Sequence, residues 1–309
     1  MKVIRLPRPA EVAWPRPTVA IGNFDGVHLG HQALLRVTVD DVRRAGGTAL
    51  ALGFDPHPAR VVAPERAPLA MTTLEQRAEL LGGLGVDAFA VLDFDARVAA
   101  LSPAAFAREV LVGSLAAERV VVGQGFRFGR ARAGDTPLLL DLGRELGFAV
   151  HVVGPVEDAE GPVSSSRVRT ALRQGQIDVA ARLLGRLPFI DGSVVRGEGR
   201  GRTIGVATAN LAVLNECLPA RGVYAGLVGL DSREHPAVVN IGERPTFGGI
   251  GMTVEAHLLG FTGDLYGRML RLRFVKQIRE ERRFAGAAEL VAQIQRDASA
   301  AREVLEGLC

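Results

Sequence analysis

The sequence predicts an α/β protein in which a parallel sheet is followed by an antiparallel β-barrel and a terminal helix. Short apolar runs alternate with helical patterns up to about residue 153, and strand patterns follow one another directly after about residue 187. The chain of 309 residues is also long for a single core. We therefore expect two domains, residues 1–186 and residues 187–309.

The first domain contains five strand patterns that are apolar almost without interruption. They are Thr18–Ile21, Thr48–Phe54, Ala88–Leu92, Arg119–Gly123 and Phe148–Val153. Such strands are typical of a parallel sheet that helices cover on both faces. A capping-box pattern at 72–75 and the pair Ser102–Pro103 predict the starts of two of those helices. In sheets of this kind, ligands bind beyond the carboxyl ends of the strands.

The second domain contains strand patterns in which apolar and polar residues alternate. They are Ile190–Val195, Gly222–Leu230, Ala237–Ile241, Thr253–Leu259 and Arg268–Phe274. A period of two with short connections predicts an antiparallel sheet, here a small barrel. A helix with one apolar face follows between Leu290 and Leu305. The joint between the domains is expected near 185–188.

Composition excludes several classes of protein. Apolar residues make up 48% of the chain and the net charge is only +3, without a block of like charge, so we expect a globular protein that binds no nucleic acid. The only lysines are Lys2 and Lys276, which excludes a Walker-type phosphate loop. No apolar run approaches the length of a membrane span, so we expect a cytoplasmic protein without membrane contact. A homo-oligomer is left open.

The most informative motif lies after the first strand pattern, at 22–31. Gly22, Asn23, Phe24 and Asp25 form a loop, and a helical pattern begins close to His28 and His31. Two histidines three residues apart on one helix face lie beside backbone N–H groups that lack an intrahelical partner, which suits the phosphates of a nucleotide. The alternative is a metal pair or two solvated histidines.

A second segment, 164–169, is expected to converge with that loop in space. Ser165 and Ser166 stand at the head of a helical pattern, and Arg169 supplies a charged planar fork. Direct in-line attack of a phosphate on the α-phosphorus of a nucleotide, with pyrophosphate leaving, suits these groups because it needs positioning and charge neutralisation. The alternative is a well-capped surface helix.

Two further strand ends carry aromatic residues and prolines. The first has Phe54, Pro56 and Pro58, and the second has Phe126 and Phe128 around an arginine. Aromatic faces beside a cation suit a planar heteroaromatic ligand. Packing at the strand ends is an equally weighted alternative.

The second domain carries a glycine-rich segment followed by polar strand residues. Glycines let backbone N–H groups close around phosphate, and the candidates for ATP binding are Gly197, Gly199, Gly201 and Arg202. Thr208 and Asn210 point the same way on an extended segment and suit Mg²⁺ bound with nucleotide phosphates. Glu255, on the polar face of a strand, can accept a proton from an attacking hydroxyl. The alternatives are a mobile glycine loop and a solvated glutamate.

Together these motifs resemble those of the bacterial bifunctional riboflavin kinase/FMN adenylyltransferases, also called prokaryotic FAD synthetases. The resemblance runs from about residue 18 to residue 284. The matching motifs lie at 22–31, 54–58 and 164–169 in the first domain, and at 199–202, 208–210, 222–224, 240–247, 255–258 and 263–267 in the second.

The resemblance implies a Rossmann-like nucleotidyltransferase domain followed by a six-stranded riboflavin kinase barrel. It implies that riboflavin is phosphorylated by ATP to FMN, and that FMN is then adenylylated by ATP to FAD with release of pyrophosphate, both with Mg²⁺. His28 and His31 would bind the ATP phosphates, helped by Ser165, Ser166 and Arg169. Thr208 and Asn210 would hold Mg²⁺-ATP in the kinase, and Glu255 would act as base toward the ribityl 5′-hydroxyl.

The chain departs from the family pattern at three places. Val206–Ala207 replaces the usual Phe-Pro, so a preset φ is lost beside the Mg²⁺ loop. Gly125 stands where the family tends to have Asp or Asn, and Ser166 stands where threonine is common. Two rival hypotheses are therefore kept: a chain with only one of the two activities, weakened at Ala207 or at Gly125, and a non-catalytic flavin- or nucleic-acid-binding module.

Overall fold

The computed structural model describes residues 1–6, 14–196, 208–231, 233–246, 249–282 and 284–307. Contacts divide the chain into two compact units, the first made of Met1–Leu69 with Leu74–Ser164 and the second of Ala70–Thr73 with Ser165–Cys309. The backbone thus crosses between the units three times, after residues 69, 73 and 164. The predicted domain boundary at 186–187 follows the change in strand pattern, and it stays a prediction.

The first unit is a six-stranded parallel sheet with helices, as the sequence predicts. Its strands are β1 (Lys2–Leu6), β2 (Pro17–Ile21), β3 (Thr48–Asp55), β4 (Ala88–Asp93), β5 (Arg119–Gly123) and β6 (Ala149–Val153). Its helices are α1 (Leu29–Ala45), α2 (Pro58–Val62), α3 (Leu74–Gly83), α4 (Ala96–Ala99), α5 (Pro103–Phe106, continued by a π-helical stretch Ala107–Ser114) and α6 (Thr136–Leu146). Two short 3₁₀ turns, Pro64–Arg66 and Arg130–Arg132, and a hairpin of β7 (Glu157–Asp158) and β8 (Gly161–Pro162) complete it.

The strand order of this sheet is β1-β4-β3-β2-β5-β6. The chain runs from β2 through β3 to β4 on one side and places β5 and β6 on the other. The order therefore reverses between β2 and β5, which makes a crevice at their carboxyl ends the expected ligand site.

The apolar runs explain why the sheet is covered on both faces. Val19 and Leu50 pack into a cluster with α5 and α6 on one face, and Ala20 and Ala49 pack with α1 on the other. The predicted helix start at Ser102 is confirmed, because its hydroxyl accepts a hydrogen bond from the N–H of Ala105. Strand β1 is not predicted from the sequence. It is only five residues long, lies at the sheet edge, and carries Lys2 and Arg5 without a regular alternation of polar and apolar residues.

The second unit contains the predicted antiparallel barrel, which is closed and six-stranded. Its order is β10-β13-β12-β11-β14-β9. The strands are β9 (Phe189–Val195), β10 (Ala209–Val213), β11 (Gly222–Leu230), β12 (Arg233–Thr246), β13 (Gly249–Leu258) and β14 (Met269–Arg279). The helices are α7 (Ser165–Arg173), α8 (Ile177–Leu184) and the predicted terminal helix α9 (Ala287–Glu306).

Alternation along the strands separates the barrel interior from its outer surface. Val254, Ala256 and Leu258 are buried inside, and α9 covers part of the outer surface over Val223 and Ala225. An ion pair between the half-buried Arg279 and the buried Asp297 fixes α9 to β14. The guanidinium of Arg279 donates to both oxygens of Asp297, and Gln293 donates to the same carboxylate at 2.7 Å.

The short segment 70–73 is held within the second unit by polar contacts. The backbone of Ala70 exchanges hydrogen bonds with the backbone and carboxylate of Glu216, and the Asn215 amide donates to the Met71 carbonyl at 2.7 Å. The Asn215 side-chain oxygen also accepts from the N–H of Asp191 on β9. Within the described ranges, no helix is both long enough and apolar enough to cross a membrane.

Candidate active sites

The loop after β2 lies at the point where the strand order of the parallel sheet reverses. Helix α1 begins at Leu29, so the helix start expected from the motif is confirmed. His28 is its N-cap, and the Nδ1 atom of His28 accepts a hydrogen bond from the N–H of His31 at 3.4 Å. Because Nδ1 accepts this bond, a neutral His28 carries its proton on Nε2 and can present it to an anion.

The two imidazoles of the motif are stacked. Their ring centroids are 3.8 Å apart with an interplanar angle of 19°, and the ring of Phe24 meets His31 edge-on at 5.3 Å. His28 is buried and His31 is half-buried. The two stacked rings thus lie at the N-terminus of a helix, where a negative charge is favoured.

Local backbone conformation holds the histidines in place. Phe24, Gly26 and Val27 have φ angles of 51°, 79° and 43°, which is unusual for a β-branched residue such as Val27. A Cβ atom added at Gly30 would lie 3.1 Å from Cε1 of His28 and 3.5 Å from the Val163 carbonyl oxygen. The motif therefore needs glycine at position 30 because the His28 ring occupies the space of a side chain.

The predicted ATP-binding residues of this loop divide into two kinds. Phe24 and Asp25 have buried side chains, and Phe24 belongs to the core beneath α1, so these two shape the loop. Gly22 and Asn23 are half-buried, and the N–H of Gly22 donates to the Leu52 carbonyl on β3.

The predicted flavin loop after β3 lies next to the histidine loop. The amide of Asn23 is 3.0 Å from Nε2 of His57, and Nδ1 of His57 accepts from the N–H of Ala59 as the N-cap of α2. Pro56 follows a cis peptide bond and is exposed, and Pro58 is the first residue of α2. Phe54 is partly buried and meets the ring of Phe94 edge-on at 5.8 Å.

The loop after β5 carries the second pair of predicted flavin residues. The rings of Phe126 and Phe128 are parallel with centroids 5.4 Å apart. Phe128 is 6% exposed and lies in the core. Its surroundings therefore fit packing, the alternative to ligand binding. A Cβ atom at Gly125 would have no atom within 4 Å, so the polar side chain common there in the family would fit.

Ser165, Ser166 and Arg169 lie on α7, which begins at Ser165 as the sequence predicts. They belong to the second compact unit, whereas the histidines belong to the first. Their predicted convergence on one nucleotide therefore stays a prediction.

In the barrel, strand register places the predicted kinase residues in one row on the outer surface. Asn210 on β10 pairs with Glu255 on β13, and Glu255 pairs in turn with Asn240 on β12. The row continues through Val223 to Arg279, the partner of Asp297. Asn210, Asn240 and Glu255 are half-buried. The residues next to each of them on the strand are buried, because they point into the barrel.

Asn240 is a residue that the sequence analysis did not single out. Only the pairing of β12 with β13 brings it beside Glu255, and that pairing cannot be deduced from either strand alone. Two positions further along β12, a Cβ atom at Gly242 would lie 2.7 Å from a carboxylate oxygen of Glu281 and 3.5 Å from the Asn240 amide nitrogen. Polar groups thus extend from Glu255 toward the end of β14.

Thr208 and Asn210 are two residues apart on the extended chain that enters β10, so their side chains share the outer face. Among the described residues, no group of three or more His, Cys, Asp and Glu side chains is arranged to hold a metal ion. Neutral oxygen donors alone fit Mg²⁺ only if phosphate oxygens and water supply most of its ligands. The predicted ATP residues Gly197, Gly199, Gly201 and Arg202, with Ala207, lie outside the described residues.

Comparisons with known proteins identify both parts of the chain. A family model described as FAD synthetase matches residues 11–167, and one described as riboflavin kinase matches residues 184–305. The bifunctional riboflavin kinase/FMN adenylyltransferase of Escherichia coli (strain K12) is 41% identical over 92% of this chain and 91% of its own length. That of Bacillus subtilis (strain 168) is 33% identical over 96% of each chain.

One solved structure resembles the whole chain. A crystal structure titled as a macrolide-efflux protein from Streptococcus pneumoniae has a TM-score of 0.88 and 30% sequence identity, and the match covers 98% of this chain and 99% of that chain. The match therefore extends over both units.

The two family matches, one over the parallel sheet and one over the barrel, define an ATP-dependent transferase with two activities. The chain belongs to the bifunctional riboflavin kinase/FMN adenylyltransferase family. It phosphorylates riboflavin to FMN with ATP, and it adenylylates FMN with ATP to give FAD.

Proposed function

We propose that the two reactions occur at separate centres, adenylyl transfer at the loop of His28 and His31, and phosphorylation at the row of Asn210, Glu255 and Asn240. The observation that carries the first assignment is the stacked histidine pair, which caps α1 where the strand order reverses. Strand register, which sets Glu255 between two asparagines, supports the second.

For adenylyl transfer, the chain's own groups position and neutralise phosphates. The ring N–H of His28, the ring of His31 and the backbone N–H groups of the first turn of α1 bind the phosphate oxygens and stabilise charge that develops at the α-phosphorus. The phosphate of FMN attacks that phosphorus in line, and pyrophosphate leaves. Ser165, Ser166 and Arg169 are assigned to the same phosphates because their motif matches the family.

Flavin binding is assigned to the loops after β3 and β5. Phe54, Pro56 and Pro58 present ring and pyrrolidine faces, and Phe126 presents a second aromatic face that is backed by Phe128. Both loops follow strands on either side of the point where the order reverses, so they can hold the flavin beside the histidines.

For phosphorylation, Glu255 accepts the proton of the ribityl 5′-hydroxyl as the oxygen attacks the γ-phosphorus of ATP. Asn210 and Asn240 flank this carboxylate and orient it and the hydroxyl. Thr208 and Asn210 are the residues that would hold Mg²⁺, which neutralises phosphate charge when bound. Gly197, Gly199, Gly201 and Arg202 are assigned to the ATP phosphates from the motif.

A cytoplasmic location suits an enzyme that uses ATP twice, and we expect no nucleic acid or membrane partner. Whether the protein forms a homo-oligomer stays a prediction to be tested by size measurements in solution.

Product analysis of single variants tests the two assignments. In His31→Ala protein that is given riboflavin and Mg²⁺-ATP, FMN should accumulate, and FAD formation should fall by roughly 100-fold or more. Wild-type protein that accumulates FMN would instead indicate the single-activity alternative, with adenylyl transfer weakened at Gly125. Equal loss of both products in His31→Ala would contradict separate centres.

A further inference from the structure

The side chain of Arg77 reaches from helix α3 to the histidine loop. Its Nη1 atom donates a hydrogen bond to the backbone carbonyl of Asn23 at 3.2 Å. Asn23 is the second residue after β2, where the loop to His28 begins. Arg77 is partly buried, although an exposed helix surface is the usual place for a guanidinium.

Acidic side chains surround the Arg77 guanidinium within the first unit. Asp25, Asp55 and Glu75 all attract it, and Asp25 is itself buried. Burial lowers the pKa of Arg77 from its ordinary value, but a guanidinium remains charged in proteins. Asp55 is shared, because Nη2 of Arg5 donates to it at 2.6 Å. The positive charge of Arg77 on α3 thus attracts the carboxylates of Asp25, after β2, and Asp55, at the end of β3.

Asn23, the hydrogen-bond partner of Arg77, also contacts the loop after β3, to which flavin binding is assigned. Because Nδ1 of His57 accepts from the N–H of Ala59, neutral His57 carries its proton on Nε2. The side-chain amide of Asn23 lies 3.0 Å from that Nε2 atom. Asn23 therefore joins Arg77 through its carbonyl and His57 through its side chain, so displacement of Asn23 moves both loops.

The loop needs such support because its backbone is strained. Left-handed φ angles at Phe24 and Val27 persist only where the surroundings hold them. Residue 77 supplies a fixed donor one residue before this run. An apolar side chain at position 77 would be buried at a lower desolvation cost than a guanidinium. It would leave the Asn23 carbonyl without the Arg77 donor.

We propose that Arg77 is a positioning residue for adenylyl transfer, which holds Asn23 and thereby sets the loop that leads to His28 and His31. The proposal rests on the assignment of adenylyl transfer to that loop. Arg77 does not touch the reacting phosphates. It acts through the backbone of the residues that do.

The test compares three variants of the full-length protein. Arg77→Met keeps the length of the side chain and removes its donors, and Arg77→Lys restores one donor. Arg36→Met makes the same change at an exposed position of α1. For each, kcat and KM for conversion of FMN to FAD are measured with ATP, and phosphorylation of riboflavin by the same sample reports on folding.

Arg77→Met should lower kcat for FAD formation by roughly 10- to 100-fold, because displacement of a catalytic group by about 1 Å costs up to roughly 100-fold. KM for ATP should change less than kcat, Arg77→Lys should recover part of the loss, and Arg36→Met should match the wild type. Riboflavin phosphorylation should stay within about twofold throughout.

Wild-type kcat in Arg77→Met would overturn the proposal, and so would a parallel fall of both activities, which indicates a structural role. If Arg77→Met does not fold, Arg77→Ala, which also removes the donors, carries the test, and unchanged kcat in that variant is the overturning result. His31→Ala separates the two hypotheses. If it leaves FAD formation intact, the site assignment fails, whereas failure at Arg77 alone leaves that assignment standing.

Discussion

Replacing Gly30 by alanine should damage adenylyl transfer without unfolding the protein. The new Cβ atom would lie 3.1 Å from Cε1 and 3.2 Å from Nδ1 of His28, and 3.5 Å from the Val163 carbonyl oxygen. Carbon atoms in van der Waals contact are about 3.5–4.0 Å apart, so the His28 ring must shift by a few tenths of an ångström. It stacks on His31 at 3.8 Å, so the ring cannot retreat without disturbing the pair.

The size of the effect follows from this displacement. If 1 Å of misplacement costs up to about 100-fold, a shift of a few tenths of an ångström predicts a fall in kcat of roughly fivefold, or about 1 kcal/mol in the activation barrier. Alanine also has a better helix propensity than glycine by up to about 1 kcal/mol, which offsets the local crowding. The free energy of unfolding should therefore change little.

The assay follows FAD formed from FMN and FMN formed from riboflavin by chromatography. Gly83→Ala is the matched control, because a Cβ atom at that helical position would have no atom within 4 Å. We expect only Gly30→Ala to lose FAD formation, with riboflavin phosphorylation at the wild-type rate. An unchanged kcat for FAD formation in Gly30→Ala would refute the argument that the position of the His28 ring matters.

Three further changes test other parts of the structure. Glu255→Gln should lower riboflavin phosphorylation by roughly 100-fold or more while FAD is still made from supplied FMN, and Glu303→Gln on the exposed face of α9 should alter neither rate. Loss of both rates in Glu255→Gln would contradict its role as base. Asp297→Ala leaves the half-buried Arg279 guanidinium and the buried Gln293 amide without their carboxylate, so urea unfolding should show a loss of about 2 kcal/mol, and a loss below about 0.5 kcal/mol would contradict a stabilising role of Asp297. Gly125→Asn fits the open space beyond β5, so KM for FMN or ATP should fall if the missing polar group matters, and unchanged constants would show that this departure is neutral.

The two sheets were predictable because their patterns are local. Continuous apolar runs such as Thr48–Phe54 and alternating runs such as Thr253–Leu259 show their periods within one segment. Strand β1 was missed because its place depends on pairing with β4, more than 80 residues away, and its own pattern is short and charged. The same limit applies to β10, which the sequence shows only as an extended segment.

The docking of residues 70–73 was also beyond prediction. The sequence shows a helix start at 72–75, and only the folded chain brings Asn215 and Glu216 to the backbone that precedes it. Such contacts depend on tertiary structure, which a local pattern does not specify.

Some residues of the candidate sites could be recognised from the sequence and others could not. His28 and His31 were found because a motif and a helix start coincide in sequence. Asn240 lies in the matching motif 240–247 but received no role, because its neighbour Glu255 is set by register across two strands. Phe128 illustrates the opposite limit: an aromatic residue at a strand end has the same sequence signal whether it binds a ring or packs in the core, and here it packs.

Mixing two variants tests most directly whether the centres are separate. His31→Ala protein alone should convert riboflavin only to FMN, and Glu255→Gln protein alone should make FAD only when FMN is supplied. The two proteins together, given riboflavin and Mg²⁺-ATP, should make FAD, since FMN released by one is substrate for the other. If the mixture makes no FAD, although the Glu255→Gln protein converts supplied FMN, the account of two independent centres is contradicted.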